Sequence, residues 1–173
     1  MSNQLKPAVS DQDHIQGAGN AAVEIVEFGD YQCPHCGAAY PVIKKIQKKF
    51  PTQIKFVFRN FPLAESHPFA VAAAVATEAA ALQNKYWQMH DIILEHQDSL
   101  SEAGLSKMAG SIGLDLEQYE ADIQKESLQD KLESDFESGI RSGVSGTPSF
   151  FVNGVKFDGG AEDLYNVLLQ SSE

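Results

Sequence analysis

The chain has two cysteines, Cys33 and Cys36, and they enclose only Pro34 and His35 in the stretch "GDYQCPHCGAAY". On one side lies "AVEIVEF", Ala22 to Phe28, which alternates apolar and acidic residues as a strand does. On the other side a helix is expected from Pro34, because proline suits a first helical turn and presets φ there. Ala39, Val42, Ile43, Ile46 and Phe50 keep helical spacing. Lys44, Lys45, Lys48 and Lys49 crowd the C-terminal end, where cations complement the helix dipole. A cysteine pair at a strand-to-helix junction puts its first thiol at a helix N-terminus. Exposed N–H groups and the dipole stabilise an anion there.

Such a pair has three readings: a structural staple, half a metal site, or an electron-exchanging dithiol. A chain of 173 residues with 43% hydrophobic content can build a core without a bridge. A bridge across so short a loop would also remove little entropy from the unfolded chain. A tetrahedral zinc site needs two more ligands, and no further cysteine exists. His90 and His96 do not share a helix face at their spacing. No metal and no organic cofactor is therefore expected. The thiolate reading makes Cys33 the nucleophile, with a pKa below the free value of about 8.5. Cys36, one turn along, can resolve a mixed disulfide formed at Cys33. His35, when protonated, would add a positive charge beside the thiolate.

Downstream, "IKFVFRNF" reads as a second strand, Ile54 to Phe61. His67 to Leu82 is alanine-rich and reads as a buried helix, followed by helices over "KYWQMHDIILEHQ", Glu102 to Ile112 and about Leu116 to Gly139. Tyr86, Trp87, Met89 and His90 read as domain packing. The acidic stretch from Asp115 to Glu137 reads as a solvated face. Strand character returns in "PSFFVNGVKFDG", where Asn153-Gly154 is a two-residue hairpin signal. A last helix runs from about Glu162 to Gln170. The order predicts an α/β protein: a polar N-terminal arm over 1–20, a four-stranded layer from 21–63 and 140–173, and an inserted helical domain over 64–139.

"VEIVEFGDYQCPHCG" together with "GVSGTPSFFVNG" resembles the DsbA-like branch of the thioredoxin superfamily, over nearly the whole chain from about Asp13. That resemblance implies a thioredoxin-like fold with an inserted helical domain, and thiol:disulfide exchange with cysteines of protein or peptide substrates through an unidentified redox partner. It implies the attacking role for Cys33 and the resolving role for Cys36. It also implies a cis Pro148 against the active site, with Thr147 presenting backbone groups to the substrate. The family often carries a carboxylate at the position of Glu27, where it relays a proton to Cys36. Alternation alone leaves Glu27 equally open to a solvated place at a strand edge. The Pro34-His35 dipeptide is similar to that of oxidising members, which points to a disulfide donor. A cytosolic reductase of the same fold and a redox-inactive binding module or holdase stay open.

The formal net charge of −11, from 13 Lys and Arg against 24 Asp and Glu, disfavours nucleic acid and anionic membrane surfaces as partners. No apolar run is long enough for insertion into a membrane. The N-terminus lacks the apolar core of a secretory signal. Read as it stands this points to the cytoplasm, or to a periplasmic or extracytoplasmic site if a signal has been removed.

Overall fold

The strand that leads to the cysteines lies at the centre of a sheet. The structure, a computed structural model, describes residues 3–172. The ends of the expected arm and of the C-terminal segment, residues 1, 2 and 173, lie outside the described residues. Among the described residues the sheet has five strands: β1 (Ile15–Gly17), β2 (Val23–Gly29), β3 (Ile54–Asn60), β4 (Ser149–Val152) and β5 (Val155–Lys156), in the order β1-β3-β2-β4-β5. β2 runs parallel to β3 and antiparallel to β4, whereas β1 and β5 pair antiparallel at the two edges. The acidic positions of β2 have different fates. Glu24 lies opposite Lys55 in register and pairs with its ammonium at 3.2 Å. Glu27 lies between Phe58 of β3 and Phe150 of β4 and is buried. The strand-edge reading of Glu27 is thereby excluded.

Seven α-helices are present among the described residues: α1 (Pro34–Lys49), α2 (Ala70–Ala81), α3 (Tyr86–Glu95), α4 (Glu102–Ser111), α5 (Leu116–Asp122), α6 (Glu126–Arg141) and α7 (Ala161–Ser171). α2 to α6 all fall between β3 and β4. The helix expected from Leu116 to Gly139 is two. Lys125 takes an extended conformation, φ −72° and ψ 130°, and its ammonium lies 3.0 Å from the buried carboxylate of Asp122. Asp135 is buried as well, accepting from the backbone and side-chain nitrogens of Asn60 at 3.0 Å each. The acidic stretch is thus not uniformly solvated.

One face of the sheet and the helices share the larger core, with Ile25, Phe56, Phe58 and Phe150 against Ile43, Ile46, Met89 and Ile93. Val26, Phe28, Val57, Phe61 and Phe151 form a second core on the opposite face, capped by Leu5. The arm is therefore part of the fold. It bridges to β5 through Gln4, crosses the second face, and returns as β1 on the far edge. Arg59 anchors it: the buried guanidinium grips Asp13 with Nε at 2.8 Å and Nη2 at 2.9 Å, and donates to Pro7 O at 2.9 Å. A fork-to-fork pair of this kind is the geometry that arginine favours. The Asn153-Gly154 turn forms as its sequence predicts, with φ of 50° and 83°, the positive values that a two-residue hairpin needs. No helix among the described residues is long and apolar enough to cross a membrane.

Candidate active site

Cys33 is the N-cap of α1, in an extended conformation with φ −68° and ψ 124°, and Pro34 opens the first turn. Both cysteines are buried free thiols, whereas Pro34 and His35 stand exposed in front of them. The loop 144–148 approaches from the other side. Cys33 Sγ lies 3.8 Å from the carbonyl oxygen of Thr147, whose peptide bond to Pro148 is cis. The Thr147 hydroxyl is buried without a hydrogen-bond partner. Cys36 Sγ accepts from the backbone N–H of Asp30 at 3.4 Å.

The two sulfurs differ in their proton affinity. Cys33 is lowered to about 5: the Cys36 thiol hydrogen-bonds its thiolate, and the N–H groups of Cys36 and His35 assist against the opposing effect of burial. These are the helix-terminal donors expected of a first-turn cysteine. Cys36 is pushed strongly up, first by its hydrogen bond to Cys33, then by burial and by the charge of Glu27. Glu27 itself is raised to about 8, chiefly by burial and further by the Cys33 thiolate. Its apolar seat is shaped by Gly29 on the same face of β2. A Cβ there would lie 2.4 Å from Phe58 Cε2 and 3.0 Å from Glu27 Oε2.

The residues that hold this site carry no sequence signature. Asp30 is buried, and its carboxylate accepts from the backbone of Gln32 and of Leu63 and pairs with His67 Nδ1, each at 2.8 Å. The Tyr31 hydroxyl meets His90 Nδ1 at 2.8 Å and the Tyr86 hydroxyl at 3.2 Å. Burial holds His90 near 3, so its ring is neutral at physiological pH. The aromatic group at the start of α3 thus packs as expected and also anchors the loop. Gln32 Oε1 accepts from the N–H of Phe69, just before α2, at 2.7 Å. Gln97 donates to the carbonyls of Tyr31 and Cys33 at 2.9 Å each. Every residue from Asp30 to Cys33 is thus tied to the segment between β3 and β4.

Comparison with known proteins gives this geometry its relatives. A family model described as "Thioredoxin" matches residues 9–168. The chain belongs to the thioredoxin family. Its α/β architecture is thioredoxin-like. Oxidised BdbD from Bacillus subtilis superposes with a TM-score of 0.83 at 26% identity, covering 99% of this chain and 95% of that one. The thiol-disulfide exchange protein alpha-DsbA2 from Wolbachia pipientis shares the fold, with a TM-score of 0.79 at 24% identity over 94% of this chain and 86% of that one. Among curated proteins, a protein of Salinispora tropica named Na(+)/H(+) antiporter NhaA 3 is 39% identical over 155 residues, which is 90% of this chain. The chain spans about a quarter of that relative's length, 24%.

Proposed function

We propose that this protein is a disulfide donor that passes a Cys33–Cys36 disulfide to cysteines of protein or peptide substrates. A substrate thiolate attacks Cys33 Sγ, the Cys33–Cys36 bond breaks, and Cys36 leaves as a thiolate. A second substrate thiolate then attacks the substrate sulfur of the mixed disulfide. Cys33 leaves as a thiolate, and the two electrons from the substrate stay on the reduced pair. A low-pKa thiol leaves fastest. The asymmetry of the two sulfurs carries the reading: Cys33 lowered to about 5 is the better leaving group, and a high-pKa Cys36 must be protonated once released. Glu27, raised to about 8, still holds a proton at neutral pH and is the group assigned to supply it.

His35 presents its N–H to the Cys33 thiolate and tunes it, with Pro34 setting the start of the helix. Thr147 and Pro148 form the wall beside which the substrate chain lies. The external redox partner that reoxidises the pair is unidentified. Donor chemistry of this kind works in an oxidising compartment, so an extracytoplasmic site is proposed.

The division of labour is tested with single-cysteine variants. Reduced Cys36→Ser, incubated with oxidised glutathione and read by intact mass, is expected to accumulate one glutathione adduct on Cys33 because nothing resolves it. Cys33→Ser is expected to stay unmodified under the same conditions. Adduct on Cys33→Ser, with none on Cys36→Ser, would reverse the roles.

A further inference from the structure

Gln97 lies far from the cysteines in sequence, at the start of a short 3-10 turn (Gln97–Ser99) between α3 and α4. Its side chain reaches across the first turn of α1. Nε2 donates to Tyr31 O and to Cys33 O, both at 2.9 Å. Carbonyl oxygens only accept, so these two partners dictate which end of the amide faces the loop. The other end settles an oddity of the sequence. Gly37 stands inside the first turns of α1, where glycine weakens a helix relative to alanine. A Cβ at position 37 would lie 2.0 Å from Gln97 Oε1 and 2.8 Å from Cδ. Position 37 carries no side chain, and the Gln97 amide occupies the space that a Cβ would take.

The two carbonyls are not equivalent. Cys33 O already accepts from the N–H groups of Cys36 and Gly37 at 3.1 Å each, as α1 begins. Gln97 adds a third and shorter bond to the same oxygen. That fixes the rotation of the peptide plane joining Cys33 to Pro34, and hence where Cys33 Sγ sits relative to the N–H groups of His35 and Cys36. The donor also opposes the negative end of a carbonyl dipole that lies one residue's breadth from the developing thiolate. Both effects favour the charged sulfur.

We propose that Gln97 is a positioning residue for thiol–disulfide exchange, coupling the helical segment between β3 and β4 to Cys33 through the Tyr31 and Cys33 carbonyls, with Gly37 as the space it requires. The proposal rests on the reading of Cys33 as the attacking thiol. It assigns to the inserted helices a part in the chemistry itself, through one amide side chain. A half-exposed glutamine in an otherwise polar turn would not otherwise be singled out.

The test is the pH dependence of Cys33 alkylation by iodoacetamide in the reduced full-length protein, with the labelled cysteine located by peptide mapping. Gln97→Ala removes both donors, and Gln97→Glu keeps the size while replacing the donors by a carboxylate. In each, the midpoint of the rate profile is expected to move up, with labelling at pH 5 slower by about three- to tenfold, as the loss of one or two hydrogen bonds implies. Above the midpoint, where the thiolate is fully formed, the rates should converge with the wild type. Gly37→Ala alone should reproduce the shift by displacing the amide. Adding Gly37→Ala to Gln97→Ala should produce no further shift, because the space is then vacant. Each variant is read separately, so loss of the fold in one leaves the others to decide. Profiles in Gln97→Ala and Gln97→Glu that superimpose on the wild type, with Cys33 still labelled first, overturn the role of Gln97 and leave the exchange reading intact. First labelling of Cys36 in the wild type would instead overturn the reading of Cys33 as the attacking thiol, on which the proposal rests.

Discussion

Replacing Glu27 by glutamine is expected to stabilise the folded protein by roughly 2–4 kcal/mol near pH 7.5 and by almost nothing near pH 4. Glu27 is buried between Phe58 and Phe150, and its pKa is raised from 4.5 to about 8. Between those values the folded chain holds a proton that the unfolded chain has released. Folding therefore favours low pH: the contribution of Glu27 is fully present below 4.5 and is lost as pH climbs through about 8. Glutamine does not titrate, so it removes that loss. The lower end of the range allows for imperfect hydrogen bonding of a buried amide. Urea unfolding of both proteins across this pH range, in one fixed redox state, gives the comparison. Equal stabilities at pH 7.5 would mean that the carboxylate is solvated and not a proton reservoir. If Glu27 also supplies the proton to Cys36, the same variant should turn over substrate roughly 10²–10⁴-fold more slowly, the scale of a lost general acid.

The second large effect is a stability difference between the redox forms. The reduced protein is expected to be more stable than the oxidised one near pH 7.5, by on the order of 2–4 kcal/mol, with the gap closing toward pH 4. Cys33 is lowered from 9.0 to about 5, so the folded reduced chain binds fewer protons than the unfolded chain between those values. Its contribution is complete above 9.0 and is lost as pH falls through about 5. The magnitude is set below the full shift because pH 7.5 lies below 9.0, where the contribution is complete. The oxidised form has no thiolate and gains nothing from this effect. Glu27 titrates in both forms, so most of its opposite pH dependence cancels in the difference. Parallel urea titrations at pH 4 and pH 7.5 would show the gap, and a more stable oxidised form at pH 7.5 would contradict it.

The elements around the cysteines were legible because each is specified locally. Alternation marks β2, Pro34 marks the start of α1, and Asn153-Gly154 marks the β4–β5 turn. Nonlocal features were not. The three residues of β1 carry no period of their own and become a strand by pairing with Lys55, Phe56 and Val57. The break between α5 and α6 has neither glycine nor proline; it falls at the extended backbone of Lys125, whose ammonium pairs with Asp122. Alternation placed Glu27 on one face of β2 but could not say that β2 is central, which is what buries it. Asp30 and Gln97 are single polar residues whose importance lies in partners far along the chain. A trace of Gln97 was nevertheless present in the sequence: a glycine in the first turns of a helix, where alanine would serve the helix better, marks a close approach by something else.

The reduction potential of the Cys33–Cys36 couple tests the donor reading most directly, because it reports the free-energy difference between dithiol and disulfide without reference to any one substrate. Equilibration against glutathione buffers at pH 7, with the fraction oxidised read by alkylation and mass, would supply it. A thiolate stabilised at the start of α1 predicts a potential above about −150 mV, and a value at or below about −270 mV would contradict the donor reading and mark a reductase.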